Sequence, residues 1–111
     1  MQFGKTNLYI LKYRTPVKCN LFTFTDSLAF KFRDRVRSTK INPDFFITTV
    51  FLGLDHNFSG RSSKPILFET MITKNGQWLS YQTRCCTWRG ALTMHWLAVN
   101  YVKHNYKKGT T

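Results

Sequence analysis

Asp55 and His56 stand side by side where the apolar run "TTVFLGL" ends, Glu69 is the chain's one glutamate, and His95 falls within "TWRGALTMHW". A histidine and carboxylate set of this kind can position water, move a proton or hold a divalent cation. These four are the candidate catalytic residues if the chain is an enzyme. Other features weigh against that reading. The five acidic residues make thin material for paired carboxylates, no Gly-rich phosphate loop occurs, and no Ser or Cys has a base adjacent in sequence. "LDHNF" is as well explained as a corner where a strand leaves the core. Asp55 or Asn57 would then bond its own backbone as an Asx turn, with His56 exposed. His95 would be a partly buried helix residue.

Cys19, Cys85 and Cys86 are an odd set, and adjacent cysteines rarely bridge each other, so a disulfide framework is not expected. The spacing of these cysteines from any histidine does not suit zinc. The reading is three small buried hydrophobes in a reducing cytoplasm, with no metal and no cofactor.

Charge carries a stronger signal. Seventeen Lys and Arg stand against Asp26, Asp34, Asp44, Asp55 and Glu69, a formal net charge of +12 in 111 residues. Such a chain attracts polyanions, nucleic acid first among them, through phosphate neutralisation and counterion release. The expected anion-binding residues are Lys31, Arg33, Arg35, Arg37 and Lys40, read as one cluster, with Arg61 and Lys64 as a second patch in a Gly/Ser loop. Lys103, Lys107 and Lys108 add a third at the C-terminal end, and Phe58 or Tyr106 could stack on bases. No signature of a sequence-specific nucleic-acid reader is present.

These residues must be held by a small frame. The length suits a single domain over 1–111, and 42% hydrophobic residues with ten Phe and three Trp argue against disorder. No apolar run reaches the roughly 20 residues that span a bilayer, and the N-terminus lacks a cleavage-site pattern, so no membrane partner is expected.

"NLYILKYR" reads as a short strand closed by Pro16, and Asp26 to Asp34 as a short helix, although alternation there also suits a strand. "NPD" at Asn42 to Asp44 is turn chemistry between two strands, and Asn75-Gly76 is the strongest hairpin cue in the chain. After Thr87, apolar residues recur at helical spacing to about His104, with Trp88, Leu92 and Trp96 expected on the sheet-facing side. Residues 105–111 read as a basic disordered tail. The expected fold class is α+β: an antiparallel sheet of four or five strands built from two hairpins, packed by the C-terminal amphipathic helix and the short N-terminal helix.

A two-residue turn at Asn75-Gly76 sets a register by arithmetic: Ile72 faces Leu79, Thr70 faces Tyr81 and Phe68 faces Thr83. On the other face Glu69 then stands across from Gln82, with Arg84 diagonal to it. That geometry makes Glu69 and Arg84 a structural ion pair, or leaves Glu69 facing a cleft.

With "TTVFLGLDHNF", "KPILFETMI" and "YQTRCCTWRGALTMHW" standing in that order, the chain resembles a family of small uncharacterised proteins of double-stranded DNA bacteriophages. That family carries a "STVFLGLDH", a "PLLFETM" and a "Y-x-TW-x-x-A-x-x-x-H" stretch. The match covers Thr48 to Trp96, and it departs at Arg89, where the family is usually acidic. The resemblance implies a phage origin and action in the cytoplasm of the infected bacterial host, and it singles out Asp55, His56, Glu69, Arg84 and His95 as the polar motif positions. The expected function is a non-enzymatic accessory protein that binds nucleic acid or a host nucleoprotein complex, in counter-defence or host takeover. A small metal- or nucleotide-binding hydrolase using Asp55, His56 and Glu69 is the first alternative, and a minor virion or assembly protein the second.

Overall fold

The computed structural model describes residues 7–28, 35–57 and 63–106. Among them the chain begins with a hairpin, β1 (Tyr9–Lys12) and β2 (Thr15–Lys18), followed by helix α1 (Leu21–Leu28). Four strands then form one antiparallel sheet: β3 (Arg35–Ile41), β4 (Phe45–Phe51), β5 (Phe68–Lys74) and β6 (Gln77–Cys85), in spatial order β3-β4-β5-β6. Helix α2 (Trp88–Asn105) closes the fold. The α+β class and the two hairpins are as the sequence predicts.

The turns form where the residue types allow. Asn75 and Gly76 both have positive φ, 52° and 80°, the backbone that a two-residue hairpin turn with the right twist needs. Asn42 takes φ 55° in the β3–β4 turn, and Asn75 donates its backbone N–H to the Asp44 carbonyl, tying the two turns together.

Three local expectations change. "TPVK" is strand β2, with Pro16 opposite Leu11 in a two-stranded sheet where a missing N–H is tolerated. The first helix starts earlier than Asp26, because Asn20 caps it by accepting from the Thr23 N–H at 2.8 Å. Residues 29–34, the rest of the expected helix, lie outside the described residues. The C-terminal helix runs to Asn105, and Tyr106 packs on Phe45 with ring centroids 4.8 Å apart, so these two belong to the fold and not to a tail. The remainder of the expected tail, residues 107–111, is outside the described residues.

Helix α2 begins at the expected cap, with the Thr87 hydroxyl accepting from the Gly90 N–H at 3.0 Å. Its buried face is Ala91, Met94, His95, Ala98, Val99 and Val102, an unbroken three- and four-residue spacing. Trp88 joins this face from the first turn and Leu92 is half-buried at its margin. Trp96 is 53% exposed, against expectation: it lies about 100° round the helix from His95, and the sheet takes the histidine.

The core under α2 is divided. One cluster gathers Phe45, Ile47, Ile72, Ala98, Val99 and Val102; the other gathers Phe51, Leu67, Phe68, Ala91 and Met94. Tyr9 and Leu11 of the N-terminal hairpin pack against the second cluster. That hairpin joins the main sheet's end through the Leu8–Leu54 bridge and the Tyr9 N–H to Gly53 carbonyl bond, 2.7 Å. Gly53, at φ 73°, takes the left-handed backbone that favours glycine, and an added Cβ would also meet the Phe24 ring at 2.8 Å, so that ring would have to move.

Two bulges set which residues face which way. In β3, Arg35 pairs with Val50 but Arg37 pairs with Thr49, so one extra residue is inserted. In β6, Thr73 pairs with Trp78 but Met71 pairs with Gln82, so two extra residues are inserted. The expected partners of Phe68, Thr70 and Ile72 are therefore displaced: Phe68 faces Cys85 and Thr70 faces Thr83. An even insertion keeps the pleat in phase, so the faces themselves come out as read from sequence.

Candidate functional site

Asp55 is committed to the backbone. Its Oδ1 accepts from the N–H of Asn57 at 2.8 Å and of Ile66 at 2.9 Å, while its own N–H donates to the Asn7 carbonyl. This is the Asx turn foreseen for the corner, and it also pins the far side of the loop to it. His56 is half-buried rather than exposed; its Nδ1 lies 2.7 Å from the Leu54 carbonyl and its backbone N–H donates to Ile66.

Glu69 stands on the sheet face turned away from α2. Its Oε2 accepts from Arg84 Nε at 2.8 Å and from Gln82 Nε2 at 3.0 Å, which is the structural ion pair. The bulge exchanges the expected places, since Arg84 is directly opposite and Gln82 diagonal.

His95 is on the other side of the sheet, with no exposed surface. Its Nε2 meets the Thr39 hydroxyl at 2.7 Å and its Nδ1 meets the Thr49 hydroxyl at 2.8 Å. Thr49 is in turn hydrogen-bonded to Thr70, which faces Thr83 on the next strand. These residues form a polar belt between the two apolar clusters: Thr49 lies between Ile47 and Phe51, and Thr70 between Phe68 and Ile72. Burial first, and then the charge of Arg37, holds the imidazole below its ordinary value. A neutral ring with one nitrogen donating and the other accepting suits two hydroxyl partners.

The four candidate catalytic residues are therefore not assembled as one site. Glu69 and His95 are separated by the sheet, and Asp55 is used by two backbone amides. Among the described residues no group of three or more His, Cys, Asp or Glu could hold a metal ion. Cys85 and Cys19 have thiols pushed up by burial, the opposite of an activated nucleophile. All three cysteines are half-buried rather than fully buried.

The basic cluster is reorganised too. In a regular strand Arg35 and Arg37 would share a face, but the single inserted residue at Val36 sends Arg35 to the helix-free face and Arg37 to the α2 side. Lys40 returns to the helix-free face opposite Phe46. Lys31, Arg33, Arg61 and Phe58 lie outside the described residues. Lys64 is an exposed residue whose carbonyl accepts from the Cys86 thiol, and Tyr106 is half-buried, packed against the core beside Phe45.

The face turned away from α2, helix-free among the described residues, carries three cross-strand rows. The first is Lys40, Phe46, Thr73 and Trp78; the second Ser38, Thr48, Met71 and Gln82; the third Arg35, Val50, Glu69 and Arg84. Phe46 is 43% exposed and Trp78 62% exposed. The Lys40 ammonium lies 5.7 Å from the centroid of the Phe46 ring. Sequence reasoning passed over Phe46, which sits in an apolar strand run, and Trp78, which stands between Gln77 and Leu79 just after the hairpin turn; the alternation "FFITTVF", read against the buried Phe45, was the signal that could have found Phe46.

No protein-family model, curated protein or solved structure matches the chain.

Proposed function

We propose that this chain is a non-enzymatic accessory protein that binds nucleic acid through backbone phosphates. One observation carries the reading: the cations greatly outnumber the groups that could neutralise them. Among the described residues of the face turned away from α2 the carboxylate is Glu69, already held by Arg84, while Arg35 and Lys40 are exposed on the same surface. With a net charge of +12 over the whole chain, such a face favours an external polyanion.

The setting proposed is the cytoplasm of a phage-infected bacterium, and it rests on the motif resemblance alone. Counter-defence or host takeover is the role that setting suggests. No helix among the described residues is long and apolar enough to cross a membrane, so a membrane-spanning role draws no support from them.

Titration of labelled single- and double-stranded DNA and RNA, beginning at low salt, tests the reading. Measurable affinity that weakens steadily with salt is expected. If no nucleic acid binds even at low salt, the basic surface serves a protein partner and the reading is dropped.

A further inference from the structure

Phe46 and Trp78 lie in the same cross-strand row, separated by the one residue Thr73, on the face that α2 leaves uncovered. Strand spacing places the two Cα positions roughly 10 Å apart across the sheet. Both are substantially exposed, whereas Phe45, Phe51 and Phe68 on the opposite face are buried. Large apolar rings held on a flat, solvent-facing sheet serve as stacking platforms for unpaired bases, because every base has a π-face.

Charge on the same face is complementary to a phosphate backbone. Lys40 begins the aromatic row, and Arg35 and Arg84 stand two rows away at the two edge strands. The Lys40 ammonium over the Phe46 ring is positioned to exchange that contact for the phosphate of a nucleotide whose base takes the ring. We infer that the helix-free sheet face binds single-stranded nucleic acid, with Phe46 and Trp78 each stacking on a base and Arg35 and Lys40 contacting the phosphates. This rests on the nucleic-acid reading above and names its site and strand state.

A duplex cannot use the rings, because its bases are already stacked on each other. Single strands should therefore bind more tightly than the duplex of the same length, and the difference should depend on the rings. Exposed aromatics can be replaced with little effect on folding, and a thermal melt of each variant checks this.

The experiment measures binding of labelled oligothymidylate, oligouridylate and a matched duplex to the intact chain, to Phe46→Ala, to Trp78→Ala and to the double variant. Loss of one stacking partner should weaken single-strand binding on the order of 10-fold per ring, with the salt slope and duplex binding retained. Trp78→Phe should keep most of the affinity while removing the tryptophan fluorescence change that binding produces. If the alanine variants bind single strands as the intact chain does, the stacking inference is overturned while the charge-based reading stands. If no nucleic acid binds at low salt, both fall.

Discussion

Arg84 and Glu69 face each other across β6 and β5, and the guanidinium Nε donates to the carboxylate Oε2 at 2.8 Å on the face turned away from α2. The two partners are unequally buried: the Glu69 side chain is 11% exposed and that of Arg84 36%. Freed of its partner, the arginine can turn to water, but the carboxylate has less access to it.

The two single replacements should therefore differ in cost. Arg84→Met leaves a shielded carboxylate with Gln82 as its remaining donor and should cost about 1–3 kcal/mol. Glu69→Gln keeps an acceptor in place and should cost less. Urea denaturation of both variants checks this, and equal losses would contradict the assignment of Glu69 as the more dependent partner.

His95 makes the stability of the fold depend on pH. In the native state its pKa lies below the ordinary 6.5, so the unfolded chain takes up a proton first as the pH falls. Its contribution is complete above that value and declines as the pH drops from about 6.5 toward the native-state value. His95→Gln should flatten stability across that window and cost on the order of 1–3 kcal/mol at neutral pH, since Thr39 and Thr49 lose their ring partners. Denaturation midpoints at pH about 7 and about 5 measure the difference.

The helix face can be tested by contrast. Ile47→Ala opens a fully buried site beneath α2 and should cost about 2–5 kcal/mol. Trp96→Ala removes a larger side chain from an exposed position and should stay within about 0.5 kcal/mol. A large loss at Trp96 would mean that α2 is rotated about its axis, with Trp96 and not His95 turned to the sheet.

These contrasts locate what the sequence made legible. The Asn75-Gly76 turn could be read because two consecutive positive φ values demand such residues. The Thr87 cap, the hairpins and the Asp55 Asx turn followed from equally local rules. The bulges in β3 and β6 had no residue signature, since neither Val36 nor the Leu79–Tyr81 stretch is unusual for a regular strand. In β6 two inserted residues preserved the faces and moved only the partners. In β3 one inserted residue put Arg37 on the other face from Arg35 and Lys40. The His95 and threonine belt was hidden for a different reason: threonine is an ordinary strand residue, and the hydrogen bonds that make it polar core span 46 and 56 positions.

If phosphates contact the face turned away from α2, the two arginines that the bulge separates must differ in their share of the salt dependence. Single-strand affinity should be measured across a salt series for the intact chain, for Arg35→Ala with Lys40→Ala, and for Arg37→Ala. The double variant should bind all sequences more weakly, with the slope of log affinity against log salt shallower by roughly 0.7 for each lost contact. Arg37→Ala should leave that slope as in the intact chain. Equal loss of slope in the two variants, or an unchanged slope in the double variant, would contradict the placement of the interface.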